Sequence, residues 1–172
     1  MKNHLLIYIF LFSLFFSTGY TVNGGVSYTI NEARNIAFNS IKYKIDTSVY
    51  QKYFTDENYI ENKNNVYRHK LRNKKYKLTL YSDETYSICY KSDKTKSFYY
   101  DTSGQLESIG FIIGEKYPKK GVKYSKSGLL IGTYLIISSK EQFIFDKNKK
   151  LIGHWIGQNC YNEKGELVLI RY

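Results

Sequence analysis

The chain has 172 residues, a formal net charge of +11, 42% hydrophobic and 17% aromatic residues. A single proline among twelve glycines excludes a collagen-like or low-complexity disordered chain, and the length suits one core-forming domain. The positive balance suits anionic partners, although Lys, Asn, Ile and Tyr are all residues of A/T-rich codons, so codon bias accounts for the same charge.

Residues 1–19 have the layout of a secretory signal. Lys2 supplies the positive start, Leu5 to Phe16 is an apolar run interrupted only by Ser13, and Ser17 and Gly19 precede a cleavage point before Tyr20, with Gly24–Gly25 as a second point that extends the signal to 24. The expected location is secreted, periplasmic or cell-surface. The alternative is a membrane-anchored chain, in which Leu5 to Val22 remains uncleaved as a short span. No cysteine stands near the run to accept a lipid.

Residues 20–172 are expected to form one α+β domain, with an N-terminal amphipathic helix packed on a long antiparallel β-meander of repeated hairpins. Its helical part covers 28–62 and the meander 66–172. Thr29-Ile-Asn-Glu32 is a capping box, and Ile30, Ala33, Ala37 and Ile41 recur at helical spacing to about Lys44. Thr47 or Ser48 caps a shorter helix with Val49, Tyr50, Tyr53 and Phe54, and Asp56-Glu57 starts another turn through Ile60. Glu61 to Asn65, polar and asparagine-rich, is predicted as loop.

Between 63 and 77 stand Lys63, Arg68, Lys70, Arg72, Lys74, Lys75 and Lys77, with no acidic residue and with Val66, Tyr67, Leu71 and Tyr76 interleaved. Basic residues mixed with rings suit an anionic polymer. They equally suit a strand whose charged outer edge blocks edge-to-edge pairing.

From Tyr76 the period becomes two. Tyr76–Tyr81 and Thr85–Tyr90 alternate around the Ser82-Asp-Glu turn, Ser92–Thr95 makes the next turn, and Phe98–Tyr100 leads into a repeated pattern. Its copies are Tyr100–Leu106, Tyr124–Leu130, Phe145–Leu151 and Tyr161–Leu167, beginning 24, 21 and 16 residues apart. Each places an aromatic, then Asp, Ser or Asn, and three residues later a glycine, except that Lys149 replaces glycine in the third. That is the chemistry of a type I turn closed by a left-handed residue. It predicts that the aromatic faces the leucine across each hairpin, and that the turn of the third copy is either looser or takes its left-handed residue from Asn148. Strands are expected over 106–113, 122–125, 129–138, 142–146, 151–156 and 167–171.

This aromatic–acidic–x–x–Gly–x–Leu unit resembles the tyrosine–aspartate (YD) repeats of RHS-type proteins and the MORN-like repeats. The resemblance covers residues 98–172. It implies surface presentation or partner binding rather than catalysis by the repeat, and four copies are too few for an RHS-type shell.

Cys89 and Cys160 are an even pair in an exported chain and a candidate disulfide, worth ~4 kcal/mol by loop entropy. The alternative is two free thiols. His154 with either cysteine forms a candidate thiol–imidazole pair for an exported hydrolase or transferase, but no nucleophile motif accompanies either cysteine. His154 and Trp155, flanked by Gly153 and Gly157, are the candidate platform for a sugar ring; a core role for Trp155 is the competing reading. The expected function is an exported, non-catalytic binding module without a cofactor. It presents its sheet and a basic face to an anionic polymer, glycan or surface protein rather than to nucleic acid. A membrane is met only through an uncleaved N-terminal segment.

Overall fold

The computed structural model describes residues 28–67 and 75–172. The expected signal, and Arg68, Lys70, Arg72 and Lys74 of the basic stretch, lie outside the described residues. Ten antiparallel strands pair in strict chain order: β1 Tyr76–Leu80, β2 Tyr86–Tyr90, β3 Lys96–Tyr100, β4 Leu106–Ile113, β5 Lys119–Ser125, β6 Leu130–Ile136, β7 Glu141–Asp146, β8 Leu151–Ile156, β9 Asn159–Tyr161 and β10 Leu167–Ile170. The strip curls into a half-barrel. At one corner its end returns to β1, where Ser82 N–H donates to the Ile170 carbonyl at 2.9 Å and Tyr172 N–H to the Leu80 carbonyl at 2.9 Å.

The four predicted aromatic–leucine registers are all present: Tyr100 faces Leu106, Tyr124 faces Leu130, Phe145 faces Leu151 and Tyr161 faces Leu167. In each turn the small polar side chain accepts a backbone N–H four residues on: Asp101 from Gln105, Ser125 from Leu129, Asp146 from Lys150 and Asn162 from Glu166. Gly104, Gly128 and Gly165 take positive φ, and in the third copy Lys149 itself does so, not Asn148. A fifth turn of the same design is hidden before the repeats. Tyr81 N–H donates to the Thr85 carbonyl, Glu84 is left-handed, and Leu80 faces Tyr86 with the aromatic and the aliphatic exchanged.

Three helical pieces cover the outer face of the sheet. Helix α1, Ile30–Phe38, starts at the Thr29 capping box and stops six residues before the expected Lys44. It turns its fully buried Ala33 and Ala37 toward Leu135, Phe143, Phe145 and Leu151. Ile41 and Ile45 pack without helical backbone against Val122, Tyr124 and Leu130, because the segment between them is drawn onto the second repeat turn. There Leu130 N–H donates to the Tyr43 carbonyl at 2.8 Å and Ile45 N–H to the Gly128 carbonyl at 2.9 Å. Next come a 3-10 helix, Ser48–Tyr53, and helix α2, Tyr59–Tyr67.

Two expectations fail at α2. Residues 61–65 are helix rather than loop, and so are residues 66–67, where the meander is expected to start; the first strand among the described residues is Tyr76–Leu80. The physical reason is a buried polar cluster that outweighs asparagine's preference for turns. Asn62 donates to Asp56 at 2.6 Å and accepts from the Tyr76 hydroxyl at 2.6 Å, and the Tyr86 hydroxyl donates to Asp56 at 2.7 Å. Asp56 and Asn62 are both buried, so each of these bonds is made where water cannot replace it.

Candidate functional site

The inner face of the curl is offset by one residue from the aromatic–leucine face, and its composition is different. Gly110, Gly121, Gly132 and Gly153 alternate there with Tyr99, Lys123, Tyr134 and Trp155, as the pairings Gly110–Lys123, Lys123–Gly132, Gly121–Tyr134 and Ile144–Gly153 require. Glycine is obligatory where a ring lies flat on the strand. A Cβ at Gly121 would stand 1.8 Å from the Tyr134 ring, and one at Gly153 would stand 2.6 Å from the Cys160 sulfur. With its large side chains folded onto small neighbours, the curl leaves a cavity of about 520 Å³, within the range of small-molecule sites.

The rim on one side is built by the repeats. One residue past each leucine the ladder slips, so that Glu107, Ile131, Ile152 and Val168 are the extra residues of four successive bulges. All four line the cavity. Ile131, Ile152 and Val168 are 37%, 51% and 49% exposed, which gives the opening an aliphatic lip. Bulges commonly re-aim side chains at the rims of barrels in this way.

Two cations lie inside. Lys123 rests its ammonium 3.8 Å from the centre of the Tyr99 ring. Among the described residues no carboxylate lies within ion-pair distance of it. Loss of water pushes its pKa down to about 8, against the weaker upward pull of Glu107 and Asp83. Arg171 donates Nε and Nη2 to the Gly157 carbonyl at 3.0 and 2.7 Å and places its guanidinium 4.7 Å from the Trp155 ring centre. Trp155, 4% exposed, also meets Tyr81 at 6.0 Å. Burial raises the pKa of the hydroxyls of Tyr81, Tyr99 and Tyr134, so the lining offers neutral donors rather than phenolates.

The sequence-derived candidates are dispersed by this geometry. Trp155 faces the cavity, but His154, its chain neighbour, points to the outer face. There it stacks on Phe143 at 4.1 Å and meets Glu141 Oε1 at 3.1 Å. Burial lowers the pKa of its imidazole, and Glu141 pulls it partly back. A shared His154–Trp155 platform is therefore not formed. Cys160 pairs with Trp155 and so turns its side chain away from the His154 ring, which leaves the thiol–imidazole pair unassembled. Burial pushes the Cys160 thiol up to about 11, far from the thiolate a nucleophile needs.

Cys89 and Cys160 are free thiols. Strands β1 and β10 lie between their two strands at the seam, so the expected bridge is not made. Lys63 is exposed on α2, Lys77 is exposed on β1, and Lys75 stands just before that strand. None of the three lines the cavity.

The cavity residues Lys123, Tyr99, Tyr134 and Arg171 escaped the sequence reading, which followed the aromatic–leucine face. The signal was the complementary register: Gly121 stands two residues before Lys123, Gly132 two before Tyr134 and Gly153 two before Trp155. Among the described residues no cluster of His, Cys, Asp and Glu is placed to hold a metal ion, and no helix is long and apolar enough to cross a membrane. Comparison with protein-family models, curated proteins and solved structures returned no match, so the likeness to YD and MORN-like repeats rests on the motif residues alone.

Proposed function

We propose that the protein is an exported, non-catalytic binding module that receives a small ligand in the lumen of its half-barrel. The observation that carries this reading is the lining of the 520 Å³ cavity. It holds a lysine that has no ion-pair partner among the described residues, set among aromatic rings and reached across an aliphatic lip. A core built only for stability gains nothing from desolvating a lone ammonium, since the loss of hydration is not returned by a counter-ion. Such a cost is characteristic of binding sites. The outer helical segment braces the curl, and the repeats build its rim. Export follows from residues 1–19, and a basic face toward an anionic surface polymer is a separate reading of the lysines between 63 and 77.

The chain contains one tryptophan, and it lines the cavity, so its emission reports on the lumen alone. Titration with 8-anilinonaphthalene-1-sulfonate should quench Trp155 by saturable energy transfer with one probe per chain, and Ile152→Glu at the lip should weaken this at least tenfold. Probe fluorescence that rises without loss of Trp155 emission, or that ignores Ile152→Glu, would place binding elsewhere and remove the lumen as the site.

A further inference from the structure

We infer that Lys123 is a covalent attachment point, where the lumen captures an apolar aldehyde or ketone as an imine on the lysine nitrogen. This rests on the lumen being the ligand site and assigns the chemical class of what it holds.

Three features of the geometry converge. The nitrogen stands in a cavity large enough for a ligand, so an electrophile reaches it without unfolding. Among the described residues no carboxylate is within ion-pair distance to lock it as an ammonium, unlike Lys96, which Asp93 holds and whose pKa is raised for that reason. And the lip of Ile131, Ile152 and Val168 favours a ligand whose carbonyl enters first and whose apolar remainder stays at the opening.

The charged and titratable groups that share the lumen with Lys123 are Tyr99 from β3, Tyr134 from β6, Glu107 from β4, Tyr81 and Asp83 from the β1–β2 turn, Cys160 from β9 and Arg171 after β10. The three tyrosines have raised pKa values and stay neutral. Glu107 and Asp83 favour the ammonium, but the loss of water outweighs them and leaves Lys123 at about 8. At pH 7.5 roughly a quarter of such a group is free amine, against ~0.1% for an ordinary lysine near 10.4.

The reaction needs no oxidant. The nitrogen lone pair adds to the carbonyl carbon and forms the C–N bond. The two amine hydrogens then leave with the carbonyl oxygen as water, and the C=N double bond remains. Desolvated amines of this kind are the ones that form Schiff bases.

The test treats the full chain with decanal and cyanoborohydride at pH 7.5, which reduces any imine to a stable secondary amine, and maps the alkylated peptides by mass spectrometry. Lys123 should be alkylated on the order of tenfold faster than the surface lysines, and the preference should shrink toward pH 10 as those lysines lose their protons. The N-terminal amine is distinguished by its own peptide. Lys123→Arg should abolish the fast alkylation, and Lys63→Arg, at an exposed lysine that does not line the cavity, should leave it unchanged; the parent chain is titrated with 8-anilinonaphthalene-1-sulfonate alongside to read the quenching of Trp155.

If Lys123 is alkylated no faster than the surface lysines while that quenching persists, the imine is wrong and the lumen reading stands. If quenching is absent as well, both fall.

Discussion

The left-handed position of each repeat turn shows how one residue answers to two separate demands. Gly104 and Gly128 need positive φ, and they also lie under other parts of the chain. An added Cβ would stand 2.7 Å from the Tyr59 ring at Gly104 and 2.1 Å from the Ile45 carbonyl oxygen at Gly128. Gly165 has the same φ and open space around it. Gly165→Ala should therefore cost only the backbone strain, about 1–2 kcal/mol, whereas Gly128→Ala should cost clearly more, because a carbonyl must also move. Chemical denaturation of the two variants checks the order. The same logic explains the one departure from the motif. Lys149 pays its φ cost where the outer helical segment reaches the turn through side chains, with Arg34 donating to the Lys149 carbonyl at 2.8 Å and the Phe38 ring 5.6 Å from the Lys149 ammonium, and Lys149→Gly should stabilise the chain by about 1 kcal/mol.

Lys123 gives a residue-scale prediction in pH. Its folded pKa, about 8, lies below that of an unfolded lysine, ~10.4. Between the two values the unfolded chain holds a proton that the folded chain has released, so stability rises with pH across that window and the full penalty applies below it. Tyr99 and Tyr134 act in the opposite sense only above about pH 10. In urea unfolding, any stability advantage of Lys123→Met over the parent chain should shrink between pH 7 and 9.5; an unchanging difference would show that the ammonium is not desolvated.

At the scale of elements, the hairpins and the start of α1 at its Thr29 capping box were legible, and helix α2 was not. Turn chemistry is local, so Asp101 with Gly104 and Asn162 with Gly165 announce both the bend and the register of the strands beside it. Cys160, in a strand of three residues between two turns, is too short a segment to show a period. The cavity was hidden because its face is written in glycines, which carry no hydrophobic signal until the group packed over each one is known, the Tyr134 ring on Gly121 and the Cys160 sulfur on Gly153. Helix α2 was hidden because Asn62 looks like a turn residue until Asp56 and Tyr76 are brought to it. That cluster fixes the outer helical segment to β1 and β2, and Asn62→Leu should destabilise the chain by about 3 kcal/mol, since it removes both the acceptor of this Tyr76 hydrogen bond and a donor to the buried Asp56 carboxylate. Tyr76→Phe, which removes one donor and leaves Asp56 satisfied, should cost markedly less; thermal unfolding of the pair reads the difference.

For the whole molecule, the order of the outer helical segment against the repeats runs backward along the chain. Arg34 reaches the third turn, residues 43–47 the second and residues 54–59 the first. The fourth repeat has no such brace among these contacts, and it lies beside the seam. The seam itself is a corner, fastened by the Ser82–Ile170 and Tyr172–Leu80 backbone bonds and by the Ile170 N–H donating to the Ser82 hydroxyl, rather than a full ladder. The curl is therefore expected to open first at this corner, ahead of global unfolding, and the width of the lumen would follow that local opening. In hydrogen exchange the amides of Ser82 and Tyr172 should exchange far sooner than those of β5 and β6, and a molecule held in the lumen should slow them while leaving the β5–β6 amides unchanged.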